Sequence, residues 1–256
     1  VPASCGSGVM LGAMGLLLGT ACGTFNGALH VPPGVPGAVL VGNAACAECH
    51  AEYTRVFAGS VHGRYYREDS FQMAGQTGCE SCHGPGSRHV AAAGARDLIV
   101  NQGRDPATCF GCTLATPAEF NLPQRHPVLE GRVGCGDCHD PHGHDIRKPA
   151  GGLAMARLNE SCAACHRDQT RPFVYEHEAM REGCVSCHQP HGSINAKLIL
   201  QRDANLCLKC HAQIQQGGGV LIGKTDHSQL LRLGGCWSAG CHTAVHGSNI
   251  NHKMLY

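Results

Sequence analysis

Sixteen of the 18 cysteines in this 256-residue chain occur as eight pairs, and this pattern constrains the fold more than any other feature. Six pairs are followed directly by histidine in the form C-x-x-C-H. A seventh, Cys236 and Cys241, has four intervening residues and is followed by His242, whereas Thr113 follows the eighth, Cys109 and Cys112. The six regular motifs are Cys46, Cys49 and His50; Cys79, Cys82 and His83; Cys135, Cys138 and His139; Cys162, Cys165 and His166; Cys184, Cys187 and His188; and Cys207, Cys210 and His211.

C-x-x-C-H is the attachment sequence for c-type haem. The two thiols form thioether bonds to the vinyl groups of the porphyrin, and the adjacent imidazole binds the iron as proximal ligand. With cysteine and histidine each at 18 residues, chance would give about 0.1 such motifs in this chain, against the six found. The sequence therefore predicts covalently bound haem c, with eight haems expected and seven if the pair of Cys109 and Cys112 is empty.

Other uses of paired cysteines fit less well. Disulfides need no histidine after every pair, and zinc sites close with a second C-x-x-C or an H-x-H at a set distance. A thioredoxin-like motif would occur once, in a βαβ context that the chain lacks. With 20 basic and 19 acidic residues and no basic run, a nucleic-acid partner is not expected either.

The other histidines follow a four-fold internal repeat. Each repeat has a first motif, a histidine 15 to 20 residues after its first cysteine, a second motif introduced by Gly-Cys, and a histidine three to six residues past that motif's own. The repeats span about residues 46–89, 109–143, 162–192 and 207–247. We expect bis-histidine haems, with His50, His83, His139, His166, His188, His211 and His242 as proximal ligands and His62, His89, His126, His142, His177, His191, His227 and His246 as distal ligands.

Three histidines, His30, His144 and His252, fall outside the repeat and are predicted not to bind iron. Methionine ligation would raise the redox potential. The six methionines fit no repeat, so low-spin, low-potential haems are expected.

The second repeat departs from the pattern because the threonine hydroxyl of Thr113 is a poor ligand for haem iron. Three interpretations are open. The haem takes a ligand from elsewhere, with His144 the nearest unassigned candidate; it is five-coordinate on His126 with an open position; or the pair carries no haem. An open iron would be the place for any catalytic role.

Several segments resemble the MtrA/DmsE-type periplasmic multihaem cytochromes. They are Gly-Cys-Gly-Asp-Cys-His-Asp-Pro-His-Gly (134–143), Gly-Cys-Val-Ser-Cys-His-Gln-Pro-His-Gly (183–192), Asn-Leu-Cys-Leu-Lys-Cys-His (205–211) and Cys-His-Thr-Ala-Val-His-Gly-Ser-Asn (241–249). The resemblance covers about residues 43–256. It implies a wire-like stack of bis-histidine haems in a protein that sits within an outer-membrane β-barrel porin and passes electrons between the periplasm and the cell exterior, with other cytochromes as partners.

The chain also departs from that family, whose named members carry ten motifs rather than eight. The predicted function is electron conduction across the periplasm and outer membrane, without an enzymatic activity and with a location in the periplasm, at the outer membrane or on the cell surface. Two alternatives are a subunit of a haem filament, which would bind copies of itself, and a multihaem reductase with the haem of Cys109 and Cys112 as its active site.

Residues 1–29 are apolar and are predicted to be a signal or lipid-anchor segment, with Cys22 as the acylated residue, or an ordered packing segment. The clearly hydrophobic part, Val9 to Leu18, is shorter than the about 20 residues that span a membrane. Cys5 has no assigned role. Prolines and glycines make residues 30–42 a linker, and residues 43–256 form the multihaem domain.

The fold class expected is mostly irregular coil with short α-helices wrapped around a stacked multihaem array, with little or no β-sheet. The best helices are 46–58, 87–95, 154–167 and 203–216, the last with Asp203 as N-cap and Gly217–Gly219 as a stop. Because the chain has only 12 aromatic residues, the porphyrins would supply the apolar area, and the apoprotein is expected to be largely unfolded.

Overall fold

A computed structural model describes residues 32–65, 78–143, 152–211 and 213–256. The predictions for residues 1–29, with Cys5 and Cys22, and those for His30 and His144 lie outside these ranges. Within them, short helices are joined by irregular segments, and the strands are few and short. The prediction of coil and short helices with little β-sheet is confirmed.

Ten α-helices lie in the described residues, and the longest has 12 residues. They are α1 Gly42–Ala47, α2 Ala51–Phe57, α3 Val61–Tyr65, α4 Cys79–His83, α5 Ser87–Ala91, α6 Ala107–Phe110, α7 Thr116–Phe120, α8 Gly152–Ala163, α9 Arg167–Thr170 and α10 Asp203–Cys207. Short 3-10 helices occur at Arg96–Leu98, Cys135–Asp137, Glu178–Glu182, Cys184–Ser186, Ala196–Leu198 and Leu230–Arg232. The strands are β1 Gln124–Arg125, β2 Tyr175–Glu176, β3 Gly192–Ser193, β4 Gln213–Gln216, β5 Gly219–Ile222, β6 Thr225–Asp226 and β7 Gly247–Ser248.

Two predicted helices are divided, and both divisions fall at a motif histidine. Residues 46–58 form parts of α1 and α2, separated by His50, whose φ of −112° and ψ of 41° are not helical. Residues 154–167 are likewise divided between α8 and α9 at His166, with φ −95° and ψ 58°. The N–H group of each histidine instead bonds back to the carbonyl of its motif's first cysteine. The motif therefore closes its own turn and ends the helix that carries it.

The other two helices are shorter in the structure than the sequence predicts. The helix predicted at 87–95 ends at Ala91, and the one predicted at 203–216 ends at Cys207, with Arg202 rather than Asp203 as its N-cap. Gly217 and Gly218, with φ of +57° and +82°, form the two-residue turn between β4 and β5 instead of stopping a helix. Such turns need positive φ at both positions, which explains the glycines. The three-stranded antiparallel sheet β4-β5-β6 was not predicted.

The apolar core of the described residues is small. Its buried hydrophobic side chains are Phe120, Val128, Leu158 and Ile199. Large apolar side chains elsewhere are exposed, for example Ile194 at 75% and Ile250 at 78%. The chain's own side chains therefore contribute little of the hydrophobic stabilisation that a folded domain needs. In the same described ranges, no helix has the length and apolar character required to cross a bilayer.

The described residues divide into two compact units, of which the first comprises residues 32–58, 62–65, 78–101 and 107–112. Its described part is organised around the carboxylate of Glu80, which is 3% exposed. That carboxylate accepts hydrogen bonds from the backbone N–H groups of Val41, Gly42 and Gly86, at 2.9, 2.8 and 2.8 Å. Because Glu80 lies within the second attachment motif, directly after Cys79, it ties that motif to the start of the helix that carries the first.

The second compact unit comprises residues 59–61, 102–106 and 113–256 and contains all the strands. Two buried serines hold equivalent loops in it. The hydroxyl of Ser193 donates to the carbonyl of Ile199 at 2.7 Å, and that of Ser248 donates to the carbonyl of Tyr256 at 2.5 Å. Each serine follows the sequence His-Gly, so the internal repeat seen in the sequence also appears as repeated local structure.

Candidate haem sites

Six pairs of histidines face each other in the described residues, and each pair joins one motif imidazole to one histidine predicted as a distal ligand. The two ring centres in a pair are between 6.0 and 6.4 Å apart. The pairs are His50–His89, His166–His126, His139–His191, His211–His177, His188–His246 and His242–His227.

This separation fits one iron between two axial imidazoles. A bond from a metal to an imidazole nitrogen is about 2 Å long, and the rest of the centre-to-centre distance lies within the two rings. No cluster of three or more histidine, cysteine or acidic side chains that could hold a bare metal ion occurs in the part of the chain that the structure describes. The donor set, two opposed imidazoles with paired thiols on the same chain, fits haem c.

In every pair, at least one imidazole is oriented by a hydrogen bond from its Nδ1 atom. The partner is a backbone carbonyl for His89, His126, His177, His188, His227 and His242, at distances of 2.6 to 2.9 Å. A donor role for Nδ1 leaves Nε2 as the metal-binding nitrogen and fixes the ring plane. Burial also lowers the pKa of His246, which favours the neutral imidazole that binds a metal.

His191 differs because its Nδ1 atom contacts a carboxylate. Oε2 of Glu119 lies 2.6 Å away, and the ring of Phe120 packs against His191 with ring centres 5.1 Å apart. Both residues belong to α7, so one short helix positions this ligand. A carboxylate partner raises the basicity of a metal-bound imidazole more than a neutral partner does.

Four of the pairs join histidines of neighbouring repeats, so that a histidine predicted as a distal ligand in one repeat faces a motif histidine of the next or the previous repeat. His126 of the second repeat faces His166 of the third, and His191 of the third faces His139 of the second. The third and fourth repeats exchange ligands in the same way, through His177–His211 and His246–His188. Two further pairs, His50–His89 and His227–His242, lie within the first and fourth repeats, respectively.

Two small antiparallel pairings hold these exchanged ligands. β1 directly precedes His126 and pairs with β3, which directly follows His191. β2 directly precedes His177 and pairs with β7, which directly follows His246. Each strand pair is therefore flanked by two histidines that are predicted as distal ligands, one from each of two successive repeats.

The glycines of these His-Gly-Ser segments are required by close packing. A Cβ atom on Gly192 would overlap the carbonyl oxygen of Glu119, and one on Gly247 would overlap the ring of Phe173. Sequence reasoning noted the recurring Pro-His-Gly but did not assign a role to the glycine.

The attachment cysteines of successive motifs are neighbours within each compact unit. First cysteines lie close enough for their thiols to interact in Cys46–Cys79 and Cys162–Cys184. Second cysteines interact electrostatically in Cys82–Cys112, Cys138–Cys165 and Cys187–Cys210. Burial raises the pKa of the Cys82 thiol to about 11, so before attachment this group is protonated at neutral pH. None of the sixteen motif cysteines, all of which are described, forms a disulfide.

Cys49 and Cys241 are predicted attachment residues that these contacts do not include. Cys49 is exposed, and its N–H bonds to the carbonyl of Cys46 at 3.3 Å within its own motif. The Sγ atom of Cys241 lies 3.9 Å from the carbonyl oxygen of Ala239, inside the stretched motif. In the described contacts, neither thiol meets a cysteine of another motif. Haem attachment at both stays a prediction.

The stretched motif nevertheless closes in the same way as a regular one. The N–H of His242 bonds to the carbonyl of Cys236 at 3.0 Å, as the N–H of His211 bonds to that of Cys207 at 3.0 Å. The two extra residues before Cys241 are therefore accommodated inside the turn, and the motif histidine keeps its place relative to the first cysteine.

An asparagine fixes the spacing of two motifs within a repeat. Oδ1 of Asn43 accepts the N–H of Cys79 at 3.0 Å, and Oδ1 of Asn159 accepts the N–H of Cys184 at 3.0 Å. Each asparagine stands three residues before the first cysteine of its repeat, a shared position that the sequence displayed but that our sequence reasoning missed.

Three predicted imidazole ligands are not members of the six pairs. His62 lies in α3, His83 places its Nδ1 atom 2.8 Å from the carbonyl of Val100, and the backbone N–H of His142 bonds to Asp140. Their roles as ligands stay predictions. His252, predicted not to bind iron, lies edge-on to Tyr175 with ring centres 6.2 Å apart.

Comparison with known proteins gives matches to cytochromes. The family model described as the doubled CXXCH motif matches residues 126–171 and 177–216. The multiheme cytochrome MtrA of Shewanella baltica is 32% identical over 216 residues, which cover 81% of this chain and 58% of that protein. The C-type polyheme cytochromes OmcB and OmcC of Geobacter sulfurreducens are 27% and 28% identical, over 78% and 82% of this chain and 29% and 31% of theirs. The chain thus spans less than two thirds of the length of these relatives.

Proposed function

Because the chain belongs to the MtrA-type multihaem c-type cytochromes, we propose that it conducts electrons along a row of eight haems. Haem iron supplies the one-electron redox chemistry when bound, and the protein attaches, orients and spaces the haems. The attachment residues are the sixteen paired cysteines, and the iron ligands are the imidazoles identified in the sequence.

The observation that carries this proposal is the proximity of successive attachment motifs, which hydrogen bonds connect through Asn43 and Cys79 and through Asn159 and Cys184. In the first compact unit, Cys46 also lies near Cys79, and Cys82 lies near Cys112. In the second, the 135/138, 162/165, 184/187 and 207/210 motifs follow each other in the same manner. Haems attached to neighbouring sulfurs would be held close together, which favours electron transfer from one motif to the next within each unit.

Ligation by two imidazoles supports conduction rather than catalysis. An iron with both axial positions filled by protein has no position for substrate, and its potential is set by ligands, hydrogen bonds and burial. The six opposed pairs support a proposal of two imidazole ligands for each of six predicted haems. An electron-transfer role without an enzymatic reaction is therefore the proposal for the row as a whole.

We further propose the cellular setting that the relatives suggest. The four dihaem repeats of residues 43–256 would lie in the periplasm or at the outer membrane and exchange electrons with other cytochromes, through an outer-membrane porin, to or from acceptors outside the cell. Residues 1–29 would direct export or anchor the chain to a membrane through an acylated Cys22, with residues 30–42 as the linker.

Electron flux through proteoliposomes tests the proposal. The holoprotein, copurified with its porin partner, is incorporated into vesicles that contain reduced viologen dye, and an insoluble or large acceptor is added outside. Replacing Cys162 and Cys165 by alanine removes one haem from the middle of the row and is expected to reduce flux more than tenfold. His252→Ala, outside the predicted ligand set, is the control and should leave flux unchanged.

Two outcomes would contradict the proposal. Flux that is equal in the double-cysteine variant and the control would show that electrons do not travel along the row. Purification as filaments of the chain alone, with no porin, would replace the conduit by a filament subunit.

A further inference from the structure

The exchange of distal ligands follows a rule that extends to the exceptional pair of Cys109 and Cys112. In two observed cases, the histidine in the middle of one repeat faces the first motif histidine of the next repeat. These are His126 with His166, and His177 with His211. Each therefore serves the haem that follows its own repeat along the chain.

His62 is the corresponding histidine of the first repeat. It lies 16 residues after Cys46, compared with 17 residues from Cys109 to His126 and 15 from Cys162 to His177. Under the rule, His62 serves the first haem of the second repeat, which is attached to Cys109 and Cys112. His62 and both of these cysteines belong to the first compact unit.

The pair of Cys109 and Cys112 retains the backbone turn of a regular attachment motif. The N–H of Cys112 bonds to the carbonyl of Cys109 at 3.2 Å, the same distance as from Cys165 to Cys162. Cys112 also lies close enough to Cys82 to interact with it electrostatically, in the manner of Cys138 with Cys165. The pair is thus placed and shaped for haem attachment, although Thr113 cannot supply an imidazole.

From these observations we propose that the haem of Cys109 and Cys112 has His62 as its only imidazole ligand and binds a small exogenous ligand on the face next to Thr113. Carbon monoxide on ferrous iron and cyanide or azide on ferric iron are ligands of this class. His126 is not available as the alternative ligand, because it faces His166. The inference rests on the haem attachment assumed in the proposed function, but the remaining haems can conduct whether or not this one is open.

Carbon monoxide titration of the reduced, intact holoprotein is the direct test. We expect one molecule bound per chain, together with one high-spin haem in the spectrum of the ferric protein. No binding, with all haems low-spin, would overturn the proposal by showing a second protein ligand such as His144. An intact mass with Cys109 and Cys112 unmodified would overturn it as well.

Paired variants test which imidazole binds the iron and which face of the haem is open. Thr113→His is expected to abolish carbon monoxide binding, and Thr113→Ser, which keeps the hydroxyl, should leave one molecule bound. His126→Ala opens the haem of His166 and should raise the stoichiometry from one to two. His62→Ala should remove the iron–histidine stretching band of the reduced high-spin haem, a band that Thr113→Ser retains.

These measurements can contradict the open haem without contradicting electron conduction along the row. Persistence of the iron–histidine band in His62→Ala would contradict His62 as the ligand, and carbon monoxide binding unchanged in Thr113→His would place the open iron elsewhere. The wild-type titration does not depend on any variant folding. If carbon monoxide fails to bind while the vesicle flux remains intact, only this inference fails.

Discussion

The Nδ1 atom of His191 lies 2.6 Å from the carboxylate oxygen Oε2 of Glu119. The partner of His126, in the same exchange of ligands, is instead the carbonyl of Pro190, also at 2.6 Å. Two histidines predicted to bind haem iron thus differ in the charge of the group that contacts Nδ1. A negative charge there makes the imidazole a stronger donor and stabilises ferric iron.

The first prediction is that Glu119→Gln raises the potential of the haem between His139 and His191. Glutamine keeps the size and an acceptor oxygen but removes the charge. If the variant binds ferric relative to ferrous iron ten times less strongly, the reduction potential of this haem rises by about 59 mV, since one electron is transferred. Spectroelectrochemical titration should show one haem shifted to higher potential and the others unchanged.

The control for this variant is Glu130→Gln, which removes the exposed carboxylate that pairs with Arg125 at 2.7 Å. In the described contacts, Glu130 touches none of the six imidazole pairs. Its loss should therefore leave the reduction potential of every haem unchanged. An equal shift in the reduction potential of every haem in both variants would indicate a change in overall charge rather than an effect of Glu119 on His191.

Gly192→Ala should destabilise the holoprotein. The added Cβ atom would overlap the carbonyl oxygen of Glu119, which is backbone and cannot move aside as a side chain can. Overpacking of this kind costs about 1–3 kcal/mol. The midpoint of guanidinium unfolding should fall, whereas Gly136→Ala, where a Cβ atom meets nothing within 4 Å, should not change it. Equal midpoints in the two variants would refute the close approach.

Removal of the Glu80 carboxylate should destabilise the first compact unit. Glu80→Ala leaves the N–H groups of Val41, Gly42 and Gly86 without their acceptor in a partly buried site. Each such group costs about 1–3 kcal/mol, so a loss of at least about 3 kcal/mol in unfolding free energy is expected. Glu52→Ala, which breaks an exposed pair with Arg55, is the matched control and should leave the unfolding free energy close to that of the wild type.

Haem removal should unfold the chain. The buried apolar side chains of the described residues are four in number, too few to replace the area that porphyrins would cover. We expect chain produced without haem attachment to lack a cooperative thermal transition by circular dichroism. A sharp transition equal to that of the holoprotein would show that the side chains suffice on their own.

The attachment motifs can be recognised in the sequence because the covalent chemistry that they predict is local. Two thiols and an imidazole within five residues specify a c-type haem without any knowledge of the fold. The four-fold repeat likewise identified histidines that the structure places opposite motif histidines, such as His126 and His246. Local helix limits were less predictable, since the motif turn at His50 and His166 interrupts a helix that composition alone favours.

Long-range features could not be predicted in the same way. The placement of His126 next to the His191 segment depends on the small β1–β3 pairing, in which only two residues of each strand take part. Glu119 lies far along the chain from His191, as Glu80 does from Val41, and a lone glutamate carries no local sign of such a role. Asn43 and Asn159 were detectable, because both occupy the same position relative to a motif.

Quantitative electron paramagnetic resonance and near-infrared magnetic circular dichroism of the oxidised holoprotein test the central claim most directly. The claim is that the irons lie between opposed imidazoles such as His50 and His89, whose ring centres are 6.3 Å apart. The account predicts bis-histidine, low-spin signals from the seven haems whose cysteine pairs are followed by histidine, and one high-spin haem from the pair followed by Thr113. A methionine-ligated signal, or a high-spin majority, would contradict it.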